Sequence, residues 1–239
     1  MSEKLNGNLS VSFVLPMFNE EENIARTINT LKSIAGKLAG EYEIVVVDDA
    51  STDGSAELVR RMAENDGTLK LYRLPENTKF GGAFAEGFSR ASKDVIVYMD
   101  SDFPVSIEDI EASFPLIREF DIVTGYSKVK KGDTVKRKLM SLVYNLMIQT
   151  LFGMNIKDIN SGYKIVRREV VKGVRFASRS PFVDVELFVH AAKKNASIRQ
   201  YPLIFNSREG GKSYIARLPV VIATFSDMIK IRMSLWTGK

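Results

Sequence analysis

The chain has 239 residues, 45% of them hydrophobic and 26% charged, the balance of a folded globular protein. It has no cysteine and one histidine, His190, which excludes disulfides, thiolate or histidine-rich metal sites and most histidine-based triads. The net charge of +5 falls mainly in the second half, and no basic–aromatic interleaving points to nucleic acid.

Residues 11–15 read as an apolar strand ending at Pro16. Ile24, Ile28, Leu31 and Ile34 recur at helical spacing and predict a helix running to about residue 38. Its start is expected at Asn19, because Glu20, Glu21 and Glu22 would complement the positive end of a helix dipole. A second strand, 43–47, is nearly continuous in Ile and Val and ends at Asp48 and Asp49. Asp53-Gly54 makes a turn, 56–63 a helix, 69–74 a third strand and 83–92 a further helix after Gly81-Gly82. The fourth strand, 95–99, runs straight into Asp100-Ser101-Asp102. A helix over 106–119, capped by Ser106, and a short strand over 121–124 follow.

Alternating strands and helices with unbroken apolar strands predict an α/β fold: a mostly parallel central sheet with helices on both faces. Ligands of such sheets bind beyond the carboxyl ends of the strands. Three strand ends carry polar residues there, at 16–20, 48–53 and 100–102. Residues two apart on an extended chain share a face, so Asp100 and Asp102 repel unless a cation lies between them. Mg²⁺ and Mn²⁺ favour oxygen ligands and travel with phosphates, so the pair is a candidate site for a metal–diphosphate substrate. Gly81-Gly82 fits neither a dinucleotide fingerprint nor a P-loop, which disfavours nicotinamide enzymes and P-loop NTPases.

The second half opens with a basic cluster, Lys128, Lys130, Lys131, Lys136, Arg137 and Lys138, then an uncharged helix over 139–152. That helix would span about 21 Å, short of a bilayer's roughly 30 Å hydrocarbon core. A loop over 158–162, a helix over 182–193 bearing Asp184 and Glu186, and a strand over 198–205 come next. A basic loop over 208–213 precedes an apolar helix over 219–236. In that helix Ile222, Phe225, Ile229 and Trp236 mark one face, with Lys230 and Arg232 near its end. Two readings of this face stay open, core packing and an interfacial helix lying on a bilayer. The polar first ten residues give no expectation of a signal peptide.

Several segments together resemble the family 2 glycosyltransferases of the GT-A fold. They are Val14-Leu15-Pro16-Met17-Phe18-Asn19-Glu20, Val46-Val47-Asp48-Asp49-Ala50-Ser51-Thr52-Asp53-Gly54-Ser55 and Met99-Asp100-Ser101-Asp102. Asp158-Ile159-Asn160-Ser161-Gly162-Tyr163-Lys164 and Arg208-Glu209-Gly210-Gly211-Lys212-Ser213 resemble the branch of dolichyl-phosphate mannose and glucose synthases, the polyprenyl-phosphate glycosyltransferases. The resemblance implies a single GT-A domain over 1–239: a nucleotide-sugar half to about 125, an acceptor half over 126–217 and an interfacial helix over 218–239. It implies inverting, metal-dependent transfer of mannose or glucose from GDP-mannose or UDP-glucose to dolichyl or polyprenyl phosphate. A hydroxyl acceptor on a polysaccharide, glycolipid or glycoprotein stays open, as does a non-catalytic nucleotide-sugar-binding module.

On matching positions, Pro16, Phe18 and Glu20 would line the nucleotide pocket, and Asp49, or alternatively Asp48, would bond the base. Lys79, Gly82 and Ser101 would contact the nucleotide sugar, and Asp100 and Asp102 would hold Mg²⁺ or Mn²⁺. Arg208 and Lys212 would close over phosphates, Arg137 would serve the acceptor phosphate, and Asp158 would act on the acceptor side with Asp184 and Glu186 nearby. Pro104 stands where the mannose synthases commonly carry a Gln, and Tyr126-Ser127-Lys128 follow Gly125 where Ser-Arg is common. The resemblance also implies a peripheral enzyme on the cytoplasmic face of a membrane, with a separate anchoring partner or self-association.

Overall fold

The computed structural model describes residues 9–127, 135–204 and 218–237. Seven strands form one sheet in the order β3-β2-β1-β4-β6-β5-β7. They are β1 (Ser10–Met17), β2 (Glu41–Asp48), β3 (Leu69–Arg73), β4 (Val95–Met99), β5 (Ile122–Ser127), β6 (Tyr163–Arg167) and β7 (Ile198–Leu203). β1 pairs in parallel with β2 and β4, β2 with β3, and β5 with β7. β6 alone runs the other way, antiparallel to both β4 and β5. The helices are α1 (Ile24–Leu38), α2 (Ser55–Ala63), α3 (Lys79–Arg90), α4 (Ile107–Ser113), α5 (Val135–Phe152), α6 (Arg168–Val171), α7 (Val183–Lys193) and α8 (Leu218–Thr237).

The central strands are buried on both faces, which is why they read as unbroken Val and Ile runs rather than alternating ones. One face of the sheet packs Phe13, Leu15, Ile44, Val46 and Val97 under α1, whose Ile24, Ile28, Leu31 and Ile34 point inward. The other packs Val14, Val45, Val47, Ile96 and Tyr98 under α3 and α7. Each such aliphatic side chain contributes about 1.5–3 kcal/mol on burial. Gly87 lets α3 lie close on β1, since a Cβ there would collide with Val14.

Three local expectations are corrected. α1 begins at Ile24, not Asn19, because Asn19 turns the chain with φ +55° and the acidic residues serve the loop instead. Glu21 Oε2 accepts from Gly54 N at 2.9 Å, and Glu20 Oε2 accepts from Asn23 Nδ2 at 3.0 Å. The helix expected over 106–119 ends at Ser113, and a 3₁₀ turn, Phe114–Arg118, carries Pro115. β6 and the short α6 were not foreseen at all.

Glu43 is a buried carboxylate at the start of β2. Burial opposes its charge, yet Lys70 Nζ at 2.6 Å, Ser12 Oγ at 2.6 Å and Ser92 outweigh it and bring its pKa down to about 2. A pKa lower in the folded than in the unfolded chain adds stability that is fully present above the ordinary value of 4.5 and lost as pH falls toward about 2. Glu43→Gln is expected to cost about 2 kcal/mol at pH 7 and clearly less at pH 3, measured by urea unfolding. Equal losses at both pH values would contradict this account.

Candidate active site

The polar segments at the carboxyl ends of β1, β2 and β4 meet along one rim. Asn19 N donates to Ser51 Oγ at 2.9 Å, Glu20 N donates to Ser55 Oγ at 2.8 Å, and Asp49 N donates to Met17 O at 2.8 Å. These bonds lock the loop after β1 onto the loop after β2 and leave the Phe18 ring 46% exposed. Five non-glycine residues among those described have positive φ, and four lie here: Asn19, Ala50, Lys79 and Phe103. Such backbone is costly and persists where surrounding structure holds it, commonly at functional sites.

The two acids after β2 do different things. Asp48 is fully buried; its Oδ1 accepts from Ser51 N at 2.9 Å and its Oδ2 lies 3.2 Å from Arg73 Nε, so it shapes the loop. Asp49 Oδ1 accepts from Thr78 N at 2.6 Å and Thr78 Oγ1 at 2.8 Å, tying the start of α3 to the rim. Burial pushes the Asp49 carboxyl up, with Thr78 acting against it. Lys79 is exposed at the first position of α3, and Gly82 is buried one turn on. A Cβ on Gly82 would lie 2.9 Å from Arg179 Nη1, so the sequence reading missed Arg179, which α3 meets from the loop before α7. Gly81 N donates to Arg179 O at 3.0 Å, and Asp227 Oδ2 of α8 accepts from Arg179 N and Ser180 N at 3.2 and 3.1 Å.

Asp100 and Asp102 leave β4 in a tight turn closed by Phe103 N donating to Asp100 O at 3.2 Å. Ser101 is buried and its carbonyl accepts from Thr27 Oγ1 of α1 at 2.7 Å. Asp100 N donates to Gly162 O at 3.1 Å, and a Cβ on Gly162 would collide with Asp100 Oδ2. Tyr98 Oη donates to Asp100 Oδ1 at 3.2 Å. Burial, and then the charges of Asp100 and Asp184, hold the Tyr98 phenol far up, so it stays a donor. Both Asp100 and Asp102 are half-buried. Among the described residues no group of three or more His, Asp or Glu side chains forms a metal site. Two carboxylates at a strand end nonetheless suit a hard cation that takes its other ligands from a diphosphate and water.

Asp158 and Asn160 belong to the loop that leads into β6, with Ser161 N donating to Asp158 O at 3.2 Å. Asp184, in the first turn of α7, is buried against Lys164, whose Nζ lies 2.7 Å from Asp184 Oδ1. Burial pushes the Asp184 carboxyl up, with Lys164 opposing. Glu186 faces away from this cluster: it accepts from Ala177 N at 2.7 Å and Ser178 N at 2.9 Å and acts as a loop cap. Arg208 and Lys212 lie outside the described residues, as do Lys128, Lys130 and Lys131; Arg137 is on α5.

The model of the family described as "Glycosyl transferase family 2" matches residues 12–175, more than two thirds of the chain. The chain belongs to glycosyl transferase family 2. Its family-2 sheet is the GT-A fold. It is similar to undecaprenyl-phosphate 4-deoxy-4-formamido-L-arabinose transferase of Yersinia pestis (strain Pestoides F), 29% identical over 81% of this chain and 63% of the relative. It is also similar to undecaprenyl-phosphate mannosyltransferase of Micrococcus luteus, 27% identical over 86% of this chain and 87% of the relative. The chain thus spans less than two thirds of the Yersinia relative's length. Among solved structures it resembles glucosyl-3-phosphoglycerate synthase from Mycobacterium tuberculosis in complex with Mn²⁺ and UDP-glucose, with a TM-score of 0.69 and 20% identity over 92% of this chain and 79% of that one. Mannosyl-3-phosphoglycerate synthase from Rubrobacter xylanophilus gives a TM-score of 0.67 at 17% identity over 96% of this chain and 75% of that one.

Among the described residues no helix of this family-2 chain is long and apolar enough to cross a membrane. The expected apolar face of α8 turns outward: Ile222 is 60% and Ile229 57% exposed, while Val220 and Met228 pack inward. Met233 on α8 and Leu146 on α5 are likewise exposed. Among the described residues of that face, Ile222, Phe225 and Ile229 thus stay out of the core.

Proposed function

We propose that the protein transfers a hexose, mannose or glucose, from a nucleotide sugar to the phosphate of a polyprenyl or dolichyl phosphate, with inversion and with Mg²⁺ or Mn²⁺. The observation that carries this reading is one sheet edge with Asp100 and Asp102 at the end of β4 and the Thr78-bonded Asp49 at the end of β2, in a family-2 chain whose relatives are named as undecaprenyl-phosphate sugar transferases.

Residues 9–125 take the donor. Pro16, Glu20 and the exposed Phe18 ring line the base pocket, Asp49 bonds the base, and Asp48 holds the loop in shape. Lys79, Gly82 and Ser101 border the ribose and diphosphate, with Arg208 and Lys212 supplied by the later basic loop. Asp100 and Asp102 are the residues that hold Mg²⁺ or Mn²⁺. When bound, the metal supplies Lewis-acid stabilisation of charge on the departing diphosphate. Residues 126–217 take the acceptor. A phosphate acceptor is already anionic, so no general base is required to create the nucleophile. Arg137 supplies the positive charge that lets one polyanion approach another, and Asp158 acts on the acceptor side. The test is an acceptor pair: transfer to polyprenyl phosphate and none to the matching polyprenol supports the reading, whereas transfer to the polyprenol favours a hydroxyl acceptor.

The same proposal places the protein at the cytoplasmic face of a membrane, where a lipid phosphate resides. The outward apolar faces of α5 and α8, with Lys230 and Arg232 exposed on α8, support it. Ile229→Glu is expected to weaken binding to vesicles containing anionic lipid by about tenfold to a hundredfold, since burying one Ile is worth about 1.5–3 kcal/mol. Co-sedimentation measures this; unchanged binding would remove α8 from the membrane contact.

A further inference from the structure

Tyr98 and Lys164 are directly opposed on antiparallel β4 and β6, so their side chains share one face of the sheet. Both are fully buried there. The Tyr98 ring packs on Phe84 and Phe88 at centroid distances of 4.8 and 6.0 Å, and its hydroxyl reaches Asp100 Oδ1 at 3.2 Å. Lys164 Nζ lies 5.6 Å from the centroid of that ring, donates to Ser161 O and pairs with Asp184 Oδ1 at 2.7 Å. Asp184 Oδ2 accepts from Asn160 Nδ2 at 3.2 Å, and Asn160 Nδ2 also donates to Pro181 O at 2.8 Å.

A buried ion pair is poor evidence of stability, because apolar residues of similar size often do as well. What this pair touches is more telling. It grips the loop 160–162, and Gly162 of that loop accepts the Asp100 N–H at 3.1 Å and, lacking a Cβ, leaves room for the Asp100 carboxylate, with which a Cβ there would collide. Asp100 is thus held at two points, by the Tyr98 hydroxyl on Oδ1 and by Gly162 O on its backbone N–H, and the missing side chain of Gly162 makes the space its carboxylate occupies.

We propose that Tyr98 and the Lys164–Asp184 pair are positioning residues that fix the Asp100 carboxylate and the 160–162 loop in the geometry required to hold the divalent cation. This rests on the reading of Asp100 as a metal ligand. Groups behind metal ligands typically govern affinity by tenfold to a hundredfold.

The test is Mn²⁺ uptake, read from the electron paramagnetic resonance signal of free Mn²⁺, with UDP or GDP present and with thermal midpoints recorded alongside. Tyr98→Phe keeps the ring and removes only the hydroxyl. It is expected to raise the Mn²⁺ dissociation constant roughly tenfold with little change in thermal midpoint. The double variant Lys164→Met/Asp184→Asn removes both charges without orphaning either, and is expected to weaken Mn²⁺ by at least as much. Asp100→Asn separates the two levels of the argument. If it binds Mn²⁺ like the parent, or the parent takes up none, the metal-site reading fails and this inference with it. If Asp100→Asn loses Mn²⁺ while Tyr98→Phe binds it like the parent, the positioning role alone is overturned.

Discussion

On the proposed function, replacing Asp102 with Asn is expected to lower sugar transfer by about a thousandfold or more while the thermal midpoint stays within a few degrees of the parent. The separation of the two effects follows from how the turn is built. Three of the contacts that hold it are made by its backbone groups: Asp100 N to Gly162 O at 3.1 Å, Phe103 N to Asp100 O at 3.2 Å and Ser101 O from Thr27 Oγ1 at 2.7 Å. Asn occupies the same volume and leaves all three in place. It removes one negative charge from the pair proposed to hold the divalent cation. Initial rates under a metal titration, with thermal melts in parallel, check this. A variant with parent-like rates at every metal concentration would remove Asp102 from the site.

The second large effect is on stability. Lys164→Met alone is expected to cost about 3–5 kcal/mol, because it leaves the Asp184 carboxylate buried without its cation. In a chain of this size that lowers the thermal midpoint by roughly ten degrees. Adding Asp184→Asn to the same protein is expected to recover most of the loss, since the orphaned charge is then gone. Double-mutant unfolding curves measure it. A single variant as stable as the parent would mean that the pair is already solvated, against its burial.

The central sheet was legible because its strands are buried on both faces. Continuous Val and Ile in 44–47 and 95–97 leave no other good solution. The placement of Asp100 and Asp102 after β4 and of the two acids at the end of β2 was legible for a related reason: polar residues abutting a buried strand mark where it ends. β6 was not. Its Tyr163-Lys164-Ile165-Val166-Arg167 interrupts the apolar pattern with a lysine, whose charge is buried against the distant Asp184. The antiparallel entry of β6 between β4 and β5 depends on these long-range partners rather than on local propensity. The acidic run at 20–22 misled for the opposite reason. It looked like a helix start, but Glu20 and Glu21 hold the rim through Asn23 and Gly54. Arg179 carried no sequence signal, since only tertiary packing brings it beside Gly82.

The proposed function rests on one bond being made, between a sugar and a lipid phosphate. Purified protein incubated with polyprenyl phosphate, Mn²⁺ or Mg²⁺ and a panel of radiolabelled nucleotide sugars, including GDP-mannose and UDP-glucose, tests that directly. The expected result is label in an organic-extractable product that mild acid releases as free sugar, formed with one donor class and lost when the metal is chelated. Label that stays aqueous with every donor, or enters a product stable to mild acid, would contradict transfer to a lipid phosphate.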